Sequence, residues 1–444
     1  MFLRHSKSKS FFTFLLMALP WLVYAQQEDS VLQTATLDHI IKYAIVHQPA
    51  VQQAIIDKEV TEQMIKGRLA DWYPQINFVY NYQRNLKLQA SVIGGNVVRF
   101  GLNNVSSAQF NATQSIFNRD VLLAANTAST VRLQSEKNII RSKMDLVVDV
   151  TKAFYDLLTT QQQIKVSEED IIRLERSLKD AQSQYNAGVT DKTDFKRATI
   201  LLTNGRATLK NNQEMLKYKE YTLKTLMGYP TEKPLDISYD TLQMENEIAL
   251  DTLQQLNFTQ HIDYQILYIQ HELQEANVKY SYWGFIPSLN AFGSYIINYQ
   301  NNAFSELYNT KYPYSYVGAT LNFPIFQGGK RTARIKQEKW SLRRIDWGLT
   351  DLKNNLNTEY TRALASYKSN LANYLALKEN VQLAREVYDV VQLQYRNGIR
   401  PYLDVTIAEA DLRTVRINYF NALYLVLASK MDVQRALGQL NYDY

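Results

Sequence analysis

The chain has 444 residues, no cysteine, 31 tyrosines and a formal net charge of +6. The lack of cysteine excludes a disulfide framework, a thiolate metal site and a lipid-bearing N-terminal cysteine. Without Arg4, Lys7 and Lys9, 46 basic residues face 43 acidic ones, or +3, with no basic block, which argues against a nucleic-acid partner.

Residues 1–25 read as an export signal. Arg4, Lys7 and Lys9 form its basic start, Phe11 to Val23 its apolar core, and Val23-Tyr24-Ala25 a small-residue cleavage site. The apolar core is too short for a membrane anchor, and no later stretch reaches the roughly 18 uninterrupted apolar residues of a spanning helix. Export of a chain without cysteine suits a bacterial envelope. The abundant tyrosines have a use at a membrane interface.

A first repeat is expected over 26–228. A helical stretch runs from about Leu37 to Leu69 and ends at Trp72-Tyr73-Pro74. A strand follows over about 74–90, with Ile76, Phe78, Tyr80 and Tyr82 on one face and Gln75, Asn77 and Asn81 on the other. A loop carries Gly94-Gly95 and Asn103-Asn104. A second strand over about 106–117 sets Ala108, Phe110 and Ala112 against Gln109, Asn111 and Thr113. A long helical hairpin then fills 119–228. Its first helix lacks proline and glycine to residue 185 and repeats apolar residues at steps of three and four, a coiled-coil stripe about 100 Å long. Gly188 ends it, and the chain returns through Phe195, Ala198 and Leu202.

Residues 229–246 read as a linker, and 247–444 repeat the plan. Trp283 and Pro287 precede a strand over about 287–300, with Leu289, Ala291, Gly293, Tyr295, Ile297 and Tyr299 on one face. A strand over about 314–326 alternates Val317, Ala319, Leu321 and Phe323 with Tyr316, Gly318, Thr320 and Asn322. The second hairpin spans 328–438 and turns at Gly398. Shifted by 210, the tip of the first hairpin returns: Gln184, Tyr185, Gly188, Asp194 and Ala198 become Gln394, Tyr395, Gly398, Asp404 and Ala408. A repeat this long implies two equivalent halves.

Four histidines follow the leader: His39, His47, His261 and His271. None has the i, i+4 spacing of a two-ligand helix face, and no glycine-rich segment has a phosphate-binding context. No catalytic site, cofactor or metal is expected, and the four histidines read as structural.

The strands have one apolar and one polar face, with aromatics near their ends: Trp72, Tyr73, Tyr82, Trp283, Phe285, Tyr299, Tyr312 and Tyr314. That pattern suits a membrane barrel wall with interfacial girdles. Open edges are not tolerated in lipid and four strands cannot close, so several copies must share one barrel; three copies give twelve strands. An envelope-anchored structural or adhesive coiled coil without a conduit is the alternative, and it has no need of amphipathic strands.

The signal peptide, tandem halves, proline-led first strand, Ile-Phe-(Asn/Gln) exits and Tyr-x-x-Gly…Asp…Ala tips together resemble the TolC-type outer-membrane efflux duct family. The resemblance covers essentially all of the mature chain. It implies an α+β membrane protein whose homotrimer forms a 12-stranded β-barrel continuous with a periplasmic α-helical barrel. It also implies a periplasmic adaptor and an inner-membrane pump of the RND, ABC or MFS type as partners, contact with outer-membrane lipid, and efflux or type I secretion as the task. By the same resemblance Tyr395 and Arg400 fall on the positions of a periplasmic latch and Asp404 on an acidic ring. Where the family pattern has a second aspartate three residues on, this chain has Ile407. Gly188, Gly398, Tyr185 and Asp194 mark tip turns where an adaptor would dock. Asp404 and its repeat partner Asp194 also suit capping of the returning helices. The two tips differ at Arg400-Pro401-Tyr402 against Thr190-Asp191-Lys192, which is where a gate is to be sought.

Overall fold

The computed structural model describes residues 35–237 and 241–444; the leader read over 1–25 lies outside the described residues. Helix α1 (Leu37–His47) opens on Thr36, whose hydroxyl accepts the His39 amide. Gln48 is extended and Pro49 starts α2 (Pro49–Ala70), so the single helix expected over 37–69 is two. Proline disfavours helical geometry in the residue before it yet suits the first helical position.

Strands β1 (Gln75–Arg84), β2 (Gln89–Ile93), β3 (Asn96–Phe100) and β4 (Asn104–Phe117) follow. The loop expected around Gly94-Gly95 is therefore a β-hairpin, and the first wall strand stops at Arg84 rather than near residue 90. Helix α3 (Arg119–Asn186) starts at Asn118, whose side chain accepts the Asp120 amide, and α4 (Lys192–Met227) returns. A short α5 (Thr241–Asn246) lies inside the segment read as a linker. Then come α6 (Ile262–Tyr282), β5 (Ser288–Asn301), β6 (Lys311–Asn322), α7 (Lys330–Arg396) and α8 (Tyr402–Leu437). The last strand ends at Asn322, short of the expected 326, just before Pro324.

The main sheet is antiparallel in the order β1-β4-β5-β6. Its register aligns Phe78 with Phe110, Phe110 with Tyr295, and Ile76 with Ala112, Gly293 and Val317 in turn. One face is thus a continuous apolar surface, largely exposed: Ile76 74%, Phe78 58%, Val317 89%. The other face carries Asn77, Gln109, Asn111, Ser294 and Asn290. Gln109 donates to Asn111 at 2.6 Å, and the Ser294 hydroxyl to Asn111 at 2.7 Å. β1 and β6 each have one free edge.

The helices stack as hairpins on α3. Its first half faces α2 through Arg132–Glu62 and Lys58–Glu136, and α6 through Arg141–Asp263. Its second half faces α4 through Lys219–Asp156 and Arg206–Glu175, and α8 through Arg416–Glu169. The main core sits at mid-height, where Phe154, Leu157, Leu158, Leu223, Met227, Leu423, Val426 and Ile40 are buried together. The linker is pinned there. Glu245 of α5 accepts from Tyr374 and Lys378 of α7, both at 2.8 Å, and from Tyr419 of α8. Among the described residues no helix is long and apolar enough to cross a membrane.

Candidate functional site

The tip is built from two helix ends of the same design. At the first, Val189 N–H bonds to Gln184 C=O and Gly188 N–H to Tyr185 C=O; at the second, Ile399 bonds to Gln394 and Gly398 to Tyr395. This is the Schellman arrangement, which satisfies orphan carbonyls and needs a left-handed residue after the helix. Gly188 and Gly398 both have φ of 71°.

Tyr395 is buried in a small cluster with Ala181, Ala198, Tyr402 and Val405. Its hydroxyl donates across the hairpins to Gln184 Oε1 at 3.1 Å, and its ring lies 5.6 Å from that of Tyr402. Burial pushes the Tyr395 phenol up to about 12, so it remains a neutral donor. Arg400 does not reach α3. Its Nη1 donates to Asp404 Oδ2 at 2.9 Å, one turn along its own hairpin.

The capping expected of Asp194 and Asp404 falls elsewhere. Asp191 is the N-cap of α4 and accepts the Thr193 amide at 2.6 Å. Pro401 occupies the equivalent place before α8, with no side-chain cap. Asp194 and Asp404 sit inside the first turn, where a carboxylate is favoured by the helix dipole. Tyr185 is partly exposed and stacks on Phe195 at 6.5 Å. Ile407 is exposed.

Two further features of this region acquire a role only from their packing. Tyr402, 1% exposed, is the anchor of the second tip where the first has exposed Lys192. Its only sequence signal was the contrast between the tips. Above it, Glu409 of α8 is 4% exposed with neither carboxylate oxygen hydrogen-bonded. Arg173 Nε of α3 stands 3.9 Å away, an ion pair too long for a hydrogen bond, while its Nη2 engages Asp170. A cavity of about 170 Å³ beside them is lined by Arg173, Arg385, Tyr388, Asp389 and Arg416.

At the wall, Trp72 and Tyr73 are exposed between α2 and β1, and Trp283 and Phe285 form a one-turn 3-10 helix before β5. Tyr82 and Tyr299 lie at the far end of the sheet on its apolar face. Tyr314 does not join them. It pairs with Ile296 on the polar face, because residues 313, 315 and 317 carry the apolar parity in β6. Tyr312 shares the parity of Tyr314. His261 caps α6 by accepting the Asp263 amide, and His271 pairs with Asp346 at 3.0 Å. His39 lies in the first turn of α1, and His47 stacks on Tyr43 at 3.8 Å.

A sequence profile described as "outer membrane efflux protein" matches residues 40–229 and 265–439. The chain belongs to the outer membrane efflux protein family. The two matched stretches correspond to its two hairpin-bearing halves, and the unmatched interval holds α5. TolC of Vibrio cholerae serotype O1 is 20% identical over 421 residues, 93% of each chain. The proteases secretion protein PrtF of Dickeya chrysanthemi is 22% identical over 86% of this chain and 83% of its own. The solved outer membrane channel CmeC of Campylobacter jejuni superposes with a TM-score of 0.74 at 14% identity, covering 92% of this chain and 87% of that one. As an efflux protein of this family, the chain is an exit duct of the outer membrane with a large periplasmic portion. The family is made up of channel proteins.

Proposed function

We propose that three copies close into one passive conduit, a 12-stranded barrel in the outer membrane continuous with a periplasmic tunnel of long helices. The observation that carries this is the open sheet. β1 and β6 each leave one edge unpaired while the apolar face is largely exposed. In lipid such edges must be paired, and a neighbour's β1 on β6 pairs them. The helical layer supports the same closure. Ile56, Val60 and Met64 of α2 and Trp340 and Trp347 of α7 are exposed on the two outermost helices of the upper layer. The adhesive coiled-coil alternative has no use for such a sheet.

In this reading the protomer is two repeats, 26–228 and 247–444, joined by a mid-height linker at 229–246. Trp72, Tyr73, Tyr82, Trp283, Phe285 and Tyr299 form the interfacial girdles, and Tyr314 faces the lumen. The tip closes through Tyr395 and Gln184, steadied by Tyr402. Arg400 neutralises Asp404, leaving one weak acidic ring. The turns at Gly188 and Gly398, with Tyr185 and Asp194, face a periplasmic adaptor, which couples the duct to an inner-membrane pump. The task is conduction without catalysis or cofactor; PrtF, by its name, serves protease secretion, and efflux or secretion of this chain's cargo uses the same path. Electron microscopy of detergent-purified protein tests it. Trimers about 140 Å long with a continuous lumen are expected; solid rods or monomers overturn it.

A further inference from the structure

Where the sheet meets the helices, a cavity of about 570 Å³ lies beside the first turns of α3 and α7. It opens on the polar side of the sheet, since Ser288, Asn290 and Asn322 line it. Four cations also line it, Arg119, Lys330, Arg331 and Arg334, against a single lining carboxylate, Asp120. Asp120 is already engaged by the Tyr280 hydroxyl. Outside the cavity, Glu338 stands 3.7 Å from Arg334 Nε and also accepts from Gln274.

Two of the cations, Arg119 and Arg331, are held in place. The Arg119 guanidinium lies 4.8 Å over the Tyr280 ring and that of Arg331 lies 4.7 Å over Phe285. Arg331 also donates to the carbonyls of Gly284 and Ile325. Lys330 and Arg331 begin α7, whose N-cap is Gly329, with no capping side chain and no acidic residue in the first turn. Cations there oppose the helix dipole, which favours an anion at that end. A separate observation points the same way. Ser281 is 6% exposed and lines the cavity, and its buried hydroxyl has no hydrogen-bond partner. A buried hydroxyl without a partner is costly, and a bound anion supplies the missing acceptor.

We propose that this cavity is a binding site for a phosphate-type oxyanion, held by Lys330, Arg334, Ser281 and the start of α7. A free phosphate and the phosphate of a soluble organic ester share that chemistry, and both reach the polar side of the sheet. All lining residues come from one protomer, so the site stands or falls independently of whether the duct conducts.

The test is calorimetric titration of inorganic pyrophosphate into the detergent-purified full chain, with helix content checked by circular dichroism. Saturable binding near one per protomer is expected. The Lys330→Gln/Arg334→Gln double variant should bind about tenfold or more weakly, since charge-assisted bonds are lost. Ser281→Ala, which leaves the charge unchanged, should bind severalfold more weakly, an effect that a diffuse positive field would not produce. Absence of saturable heat with the wild type, or wild-type binding by both variants, overturns the proposal. In competition, displacement of pyrophosphate by glycerol phosphate but not by glycerol supports the site and assigns a phosphate ester. Displacement by neither supports it with free phosphate as the source.

Discussion

Tyr395 and Arg400 share one tip but do different work. The phenol bridges two hairpins to Gln184, whereas the guanidinium pairs within its own. Removing one such hydrogen bond costs about 0.5–1.5 kcal/mol, while an exposed ion pair contributes ~0–1 kcal/mol. Tyr395→Phe is therefore expected to raise single-channel conductance more than Arg400→Ala. Tyr402→Ala, which removes a buried ring worth about 3–5 kcal/mol, should open the tip furthest. The reverse ranking in planar bilayers would count against this account. Glu409 adds a pH dependence. Burial holds its carboxyl above the usual carboxylate range against the opposing pull of Arg173 and Arg413, with Asp170, Glu169, Arg416 and Tyr388 nearby. A raised folded value means that its contribution to stability is full below the ordinary glutamate value and is lost as pH rises through the folded one. Glu409→Gln should raise the melting temperature at neutral pH and flatten its fall between mildly acidic and neutral pH. An unchanged melting profile would show the carboxyl to be relaxed in the packed state.

At the scale of elements, the long helices depend on how they end. Gly398 and Gly228 both sit at positive φ, 71° and 68°, but in different surroundings. A Cβ at Gly398 meets nothing within 4 Å, so a side chain there costs only the left-handed strain, about 1–2 kcal/mol. A Cβ at Gly228 would stand 2.5 Å from the His47 carbonyl oxygen, where α4 closes on α1 at mid-height. Gly228→Ala should accordingly lower thermal stability well beyond Gly398→Ala. Equal melting temperatures would argue against the α1–α4 contact. The elements were unevenly legible in sequence. The α3 and α7 spans follow from long stretches almost free of glycine and proline with apolar steps of three and four. The break at Pro49 and the β2–β3 hairpin did not emerge. There the signals were a lone proline within a helical pattern, and a Gly-Gly pair between runs of only five residues.

For the whole molecule, the decisive property is the opposed chemistry of the two sheet faces. Phe78 and Asn77 are neighbours in sequence and lie on opposite faces. A lysine on the lipid side near mid-membrane costs roughly 2–4 kcal/mol, and one facing a wet lumen costs little. Phe78→Lys should therefore reduce the yield of heat-resistant trimer on semi-native gels, with Asn77→Lys close to wild type. Equal loss in both variants would remove the assignment of faces.

Sequence by itself determined the period-two faces, the long helices and the glycine turns, because each depends on local spacing or on one backbone conformation. It also placed Tyr395 and Asp404 together at the tip through the 210-residue echo. Only the tertiary structure decided what those residues touch. It assigned the cap to Asp191, paired Arg400 with Asp404 and buried Tyr402. The cap and the ion pair are short-range, two and four residues apart, but several side chains near each turn could fill those roles and only the backbone geometry selects one. The burial of Tyr402 joins it to Ala181 and Ala198 of the other hairpin, about two hundred residues away, and no local pattern carries that distance.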